Sequence, residues 1–247
     1  MRPPGQGKAV TLPFPFVSAP FPRSTQHPTA GLRDPSYLAP MKMIDHVVYG
    51  VDDLQAGVEE LAERFGVRAA PGGKHVGRGT HNALLALGGD SYLEIIAIDP
   101  DQPAAAGEVS FALDRLRLPR LVGWAARVTD IEHAARRARD RGYDPGPIQA
   151  MNRQRPDGVL LEWQLTRKPP DPARIPVPFL IDWGGSPHPS QASPPGLILV
   201  ELRAEHPSPD DLRRILAALS VDLAVDQAPE AALVATLDTA EGRILLR

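Results

Sequence analysis

The chain has 247 residues, a net charge of −3 at neutral pH and 43% hydrophobic residues. This charge gives no reason to expect binding to nucleic acid or to an anionic membrane, since either would require a strongly basic surface. The length allows a well-buried core in one large or two small domains. The sequence has no cysteine. That excludes disulfides, thiol nucleophiles and thiolate metal sites, so any metal would be held by His, Asp, Glu or water.

The first 40 residues contain nine prolines and no helical or alternating period. We therefore predict a disordered, proline-rich tail over residues 1–40, with Met1, Met41 and Met43 as alternative starts of the natural chain. No unbroken apolar segment typical of a secretory signal is present, and no run approaches the ~20 apolar residues of a membrane span. We expect a cytoplasmic protein.

From Met43 onward the pattern predicts a strand, a helix and three strands. Asp52-Asp53 is typical of a helix N-cap, and Gly66 of a helix end. The predicted elements are the strand Met43–Val51, the helix from Leu54 to Phe65, and the strands Val67–Ala70, Asn82–Leu87 and Ser91–Ile98.

The same order returns after a linker rich in Pro and Ala. The segments VDDL (51–54) and VTDI (128–131) align at an offset of 77 residues, which indicates an internal repeat. The predicted elements of this second unit are the strand Leu121–Val128, a helix from Ile131 that ends at Gly142, and the strands Val159–Thr166 and Val177–Trp183. A third, shorter unit begins at Gly196, with strands Leu197–Ala204, Ala231–Leu237 and Arg243–Leu246 and a helix Asp210–Leu219.

The stretch from Gly72 to Ile96 carries the clearest functional pattern. A glycine-rich loop with polar side chains leads into two apolar strands, and Glu94 lies inside the second strand. Both faces of that strand are otherwise apolar, so Glu94 is expected to point into a protected interior. A buried carboxylate must be hydrogen-bonded, paired or bound to a cation. This stretch is therefore the predicted site.

These modules resemble the vicinal oxygen chelate superfamily, which includes glyoxalase and the extradiol dioxygenases. Within it the chain is similar to glyoxalase-like domain proteins, and three motifs carry the likeness: GG-x-H with GT-x-N over residues 72–82, RPDG at 155–158 leading to Trp163, and PFLIDWG at 178–184 followed by His188. The resemblance covers residues 43–195.

The resemblance implies an α+β fold of paired βαβββ modules that form a curved mixed sheet around a pocket, with a third partial module at the C-terminus. The expected domains are a glyoxalase-like domain over 41–195, with modules 43–99 and 120–185, and the partial module over 196–247. In this superfamily, metal ligands come from the first and fourth strands of each module. By position these are His46, Glu94 and Asp182, with Gly123 in place of a fourth ligand.

The resemblance implies a divalent metal, Zn, Mn, Fe or Ni, and a small-molecule ligand. The residues expected to bind the small-molecule ligand are His75, Arg78, Thr80, Asn82, Arg155, Trp163, Trp183 and His188. The candidate residues could instead have purely structural roles. His46 could be a core histidine, Asp182 could form an ion pair with an arginine, and the two tryptophans could belong to an apolar core. No catalytic residue is assigned.

Two functions stay open. One is a metal-assisted lyase, isomerase or dioxygenase, and the other is a metal-free protein that binds or sequesters a small molecule. Glu94 inside a strand favours the first, and Gly123 at a ligand position favours the second. We expect a monomer or a homodimer.

Overall fold

The computed structural model describes residues 43–75, 77–102, 109–155 and 157–247. The predicted tail over residues 1–40 lies outside them. The described part contains twelve strands and three α-helices, and in both of the first two modules the order is strand, helix and three strands. The predicted α+β fold of paired βαβββ modules is confirmed.

The first module comprises β1 (Ile44–Gly50), α1 (Leu54–Phe65), β2 (Ala70–His75), β3 (Thr80–Ala86) and β4 (Tyr92–Ile98). Asp53 caps α1 by accepting a hydrogen bond from a backbone N–H of the first turn, and Gly66 ends the helix in the left-handed conformation, as predicted. The helix buries Val58, Leu61 and Phe65 against the sheet. The helix caps thus set the two ends of α1, and the spacing of its apolar residues sets the face that packs on the sheet.

The second module comprises β5 (Arg120–Arg127), α2 (Ile131–Asp140), β6 (Ile148–Gln154), β7 (Leu160–Thr166) and β8 (Phe179–Asp182). Asp130 caps α2, whose inward face is Ile131 with three alanines. Strand β6 is absent from the sequence-based prediction.

The two modules form one eight-stranded sheet in the order β2-β3-β4-β1-β5-β8-β7-β6. Strands β1 and β5 pair antiparallel at its centre, and each pairs in parallel with the last strand of its own module. The outer strands β2 and β6 approach each other, since a Cβ on Gly73 would lie 3.0 Å from the Gln154 carbonyl oxygen. The sheet is therefore curved and nearly closed, with an enclosed concave side.

The glycine-rich stretch is a β-hairpin rather than a loop. Strand β2 runs through Gly72 and Gly73 to His75, a turn follows at 77–79, and β3 begins at Thr80. The glycines suggested a loop, but the strand requires them because other groups approach its backbone closely.

The third module comprises β9 (Ile198–His206), α3 (Pro209–Leu219), β10 (Ala224–Gln227), β11 (Ala232–Thr239) and β12 (Gly242–Leu246). It forms a separate four-stranded sheet in the order β10-β9-β11-β12. Its first strand pairs in parallel with its second strand, whereas β1 pairs with the fourth. Backbone hydrogen bonds from Leu199 to Leu87 and from Leu121 to Arg247 join it to the first two modules.

The largest hydrophobic core contains residues of all three modules, including Leu61 and Trp124 together with Leu202 and Leu233. Apolar side chains are thus shared across residue 195, the predicted domain boundary, which itself stays a prediction. Among the described helices, none is long and apolar enough to cross a membrane.

Candidate functional site

The concave side of the eight-stranded sheet encloses a cavity of about 250 Å³. Because strand residues alternate between faces, Tyr92, Glu94 and Ile96 of β4 line it. The cavity suits a small organic molecule.

Glu94 lies in the wall of the cavity and is only 6% exposed. Its Oε1 accepts a hydrogen bond of 2.6 Å from the side-chain amide of Asn82. Two imidazoles flank the carboxylate: His46 Nε2 is 3.6 Å from Oε2, and His75 Nε2 is 3.8 Å from Oε1. Because both distances exceed a hydrogen bond, Oε2 remains open to a bound molecule.

The neighbouring residue Asp45 fixes the orientation of His46. The pairing of β1 with β5 shifts by one residue at Asp45, and this irregularity lets the two adjacent side chains meet. His46 Nδ1 donates to Asp45 Oδ1 over 2.8 Å, so its Nε2 is directed towards Glu94. The His46 ring is also stacked on Tyr92, with ring centroids 4.6 Å apart.

Asp45 is fully buried and is satisfied by several donors. Besides His46 it accepts hydrogen bonds from the indole N–H of Trp183 and from Arg127 Nε. Burial alone would raise the pKa of Asp45, but the hydrogen bonds from His188 and His46 outweigh it and hold the pKa well below its ordinary value. Asp45 therefore stays ionised and keeps His46 in one orientation.

Arg153 of β6 is the one buried cation of the described cavity wall, with 4% of its surface exposed. Its Nη1 donates 2.7 Å to Asn82 Oδ1, the same amide whose nitrogen donates to Glu94. Burial lowers the pKa of Arg153, and the charge of Glu94 opposes this effect. A single asparagine thus links a buried guanidinium to a buried carboxylate.

Gly72 makes room for this arrangement. A Cβ at this position would lie 2.2 Å from Asn82 Oδ1 and 2.5 Å from Arg153 Nη1. Only glycine leaves enough space for both side chains to pack against the β2 backbone.

His75 and Tyr92 complete the polar wall. His75 Nδ1 is 2.9 Å from Thr80 Oγ1, and burial lowers the pKa of His75 despite the nearby charge of Glu94. Burial also raises the pKa of Tyr92 well above its ordinary value. Both groups are therefore neutral at neutral pH, and they offer a ligand hydrogen-bonding atoms without net charge.

A family model described as "Glyoxalase-like domain" matches residues 44–220, which is more than two thirds of the chain. The chain belongs to the glyoxalase-like domain family. No curated protein sequence matches it. The resemblance to the vicinal oxygen chelate superfamily is thereby confirmed.

Solved structures share the fold of this glyoxalase-like protein at low sequence identity. A hypothetical protein from Staphylococcus aureus is 13% identical and has a TM-score of 0.56, over 76% of this chain and 87% of that one. Methylmalonyl-CoA epimerase from Mycobacterium tuberculosis is 20% identical, with a TM-score of 0.39 over 59% of this chain and 89% of that one. The first likeness supports the fold alone, and the second is too weak to support more.

Several residues predicted for the site of the glyoxalase-like protein lie in the cavity wall. They are His46, His75, Arg78, Thr80, Asn82, Glu94, Trp163 and Trp183. Arg78 donates to Gln149 Oε1 over 2.8 Å and so connects the β2–β3 turn to β6. The roles of these residues in binding stay predictions.

The structure does not bring Asp182 to this wall. In β8 the residues that line the cavity are Phe179 and Ile181, so Asp182 points to the opposite face. There its carboxylate accepts hydrogen bonds from the backbone N–H groups of Ile131 and Gly184. Asp182 therefore does not join His46 and Glu94, because its side chain lies on the face of β8 that points away from the cavity.

Strand register identifies the true counterpart of Glu94. Val48 pairs with Glu94 between β1 and β4, and Ala125, 77 residues after Val48, pairs with Phe179 between β5 and β8. The second module therefore has phenylalanine where the first has its carboxylate. Gly123 takes the place of His46, as expected from the sequence.

Arg155 and His188 also lie outside the described cavity wall. Arg155 forms an ion pair of 2.6 Å with Asp157. His188 Nε2 lies 3.1 Å from Asp45 Oδ2, and its Nδ1 lies 2.8 Å from Ser190 Oγ. The arginine that does reach the cavity is Arg153, two residues before the RPDG motif.

Divalent metals are common in this superfamily, but the side chains present here do not complete such a centre. The Phe111 ring fills the space next to Gly123, where a Cβ would lie 2.9 Å from it, and it packs beside Phe179. Within the described residues, no three His, Asp or Glu side chains are arranged to hold an ion. The half of the site that would supply the remaining ligands is apolar, so the residues do not fit a resident metal with four protein ligands.

Proposed function

We propose that this cavity is the active site of a lyase- or isomerase-type enzyme that moves a proton on a small carbonyl compound. The supporting observation is the Glu94 carboxylate, which is buried in the cavity wall and held at one oxygen by Asn82, with the other oxygen 3.6 Å from His46 Nε2. A base for proton abstraction must be fixed in position and open to substrate. Glu94 meets both requirements.

In the proposed step, a C–H bond next to a carbonyl breaks and its proton moves to Glu94 Oε2. The electron pair moves into the carbonyl, and the charge that develops on its oxygen is stabilised by a hydrogen-bond donor of the wall, such as the hydroxyl of Tyr92. Return of the proton to the opposite face of that carbon, or to a different carbon, completes an isomerisation. Departure of a leaving group from the adjacent carbon, with its bonding electrons, completes an elimination. His46, held by Asp45, supplies a second proton-transfer group beside Glu94.

A dioxygenase is not proposed. That reaction requires a redox metal held by protein donors, and no three His, Asp or Glu side chains of the described residues are arranged to hold one.

Metal-free binding without catalysis is the second candidate. It is favoured by the hydrogen bond of 2.6 Å between Asn82 and Glu94, because an amide alone can satisfy one oxygen of a buried carboxylate. In that case the cavity retains its ligand unchanged.

Deuterium uptake distinguishes the two candidates. The C3 protons of 2-oxobutyrate and of its neutral methyl ester exchange slowly in D2O, and proton NMR follows their loss. We expect wild-type protein to accelerate exchange and Glu94→Gln to reduce the acceleration by about 100-fold or more, the range of general base catalysis. Glu162→Gln, an exposed glutamate on β7, is the matched control and should behave as wild type. Saturable binding without exchange would support sequestration instead.

A further inference from the structure

Arg153 has far more hydrogen-bonding capacity than the protein uses. A guanidinium carries five N–H donors. Among the described residues, its only hydrogen bond is the one from Nη1 to Asn82 Oδ1, and its buried Nε has no partner. The described part of the chain also contains no carboxylate within ion-pair distance of it. Arg153 is thus an unsatisfied cation with 4% of its surface exposed.

Such an arrangement costs stability unless a ligand completes it, because a buried charge requires pairing and hydrogen bonds. The planar fork of arginine matches the two oxygens of a carboxylate. A doubly charged phosphate is disfavoured, because Glu94 is linked to the same asparagine and would repel it.

The surroundings favour a small carboxylate with an apolar body. Met151, Trp163 and Leu165 line the cavity together with Arg153. The Arg153 guanidinium packs against the backbone at Gly72, where a Cβ would lie only 2.5 Å from Nη1.

From these observations we infer that the ligand of this cavity is a small organic monocarboxylate, whose carboxylate is bound by Arg153. This inference names the substrate class of the proposed proton-transfer site and rests on that proposal. Asn82 binds Arg153 with its oxygen and Glu94 with its nitrogen, so the anion site and the base are separated by one amide group. We expect a carbon one or two bonds from the bound carboxylate to face Glu94.

Calorimetric titration with 2-oxobutyrate, its methyl ester and inorganic phosphate tests the inference. We expect 2-oxobutyrate to bind wild type and Arg153→Met to weaken that binding by roughly 10- to 150-fold, which corresponds to lost charge-assisted hydrogen bonds. Arg153→Lys should be intermediate, because the charge remains and the fork is lost. The matched control is Arg155→Met, since Arg155 pairs with Asp157 outside the cavity wall. It should bind as wild type does.

Circular dichroism and thermal melting establish whether each variant is folded. If Arg153→Met does not fold, Arg153→Lys takes its place in the binding comparison. Equal binding of 2-oxobutyrate to wild type and folded Arg153 variants would overturn the inference, as would equal affinity for the methyl ester or tighter binding of phosphate. Failure of 2-oxobutyrate to bind would overturn it too. If the methyl ester still exchanges deuterium in a Glu94-dependent manner, the proposed function stands without the carboxylate site. If 2-oxobutyrate binds through Arg153 but does not exchange, the carboxylate site stands and the proton-transfer function fails.

Discussion

Replacing Asn82 by alanine should destabilise the protein more than the loss of a small polar side chain usually does. Asn82 accepts a hydrogen bond of 2.7 Å from the Arg153 guanidinium and donates one of 2.6 Å to the Glu94 carboxylate. All three side chains are buried. Hydrogen bonds to charged groups contribute roughly 1.5–3 kcal/mol each, so the two together amount to about 3–6 kcal/mol. Water entering the cavity will re-solvate part of both charges. We therefore expect a loss near the lower end, about 3 kcal/mol.

Urea unfolding at neutral pH, followed by tryptophan fluorescence, measures this loss as a shift of the midpoint at constant slope. The matched control is Asn152→Ala, an exposed asparagine on β6 next to Arg153. It should change the free energy of unfolding by less than about 0.5 kcal/mol. A loss below about 1 kcal/mol for Asn82→Ala would refute the view that the hydrogen bonds of this amide stabilise two buried charges.

Three further variants test the wall and its supports. Gly72→Ala should cost about 1–3 kcal/mol in thermal melting because its Cβ overlaps the site, whereas Gly185→Ala, with open space around it, should be neutral. Burial lowers the pKa of His75 in the folded state below its ordinary value of 6.5. At pH values below 6.5 the unfolded state therefore binds more protons than the folded state. Wild type should therefore lose stability relative to His75→Gln as the pH falls below 6.5, and parallel unfolding curves at pH 7.5 and 5.5 would contradict this. Asp182→Ala should cost about 1 kcal/mol through loss of its backbone hydrogen bonds, with the affinity for 2-oxobutyrate unchanged.

Local patterns were sufficient to predict most of the fold. The repeat at an offset of 77 residues marks both strand-to-helix joints, and the caps Asp53 and Gly66 lie where expected. The inward position of Glu94 follows from its apolar strand and is observed. The cytoplasmic location and the oligomeric state remain predictions.

The site was harder to predict because its buried cation, Arg153, lies on strand β6. Its sequence, IQAMNRQ, alternates polar residues with few large apolar ones, so it lacks the usual strand pattern, and Arg153 was missed with it. The repeat itself would have located this strand, since the offset of 77 maps β2 onto residues 147–152. Asp182 was misassigned because aligning similar letters ignores strand parity, which only the pairing of β5 with β8 reveals.

The most direct test of the central claim is the rate of deuterium exchange into 2-oxobutyrate with and without a metal chelator. Asn82 holds Glu94 by a hydrogen bond, and the second module has Gly123 and Phe179 at the positions where a metal ligand would be expected. We therefore expect the exchange to depend on Glu94 and not on a bound ion. We predict the same wild-type rate before and after treatment with EDTA, and no gain on addition of Zn, Mn, Fe(II) or Ni. A rate that disappears with EDTA and returns with one of these metals would contradict the account.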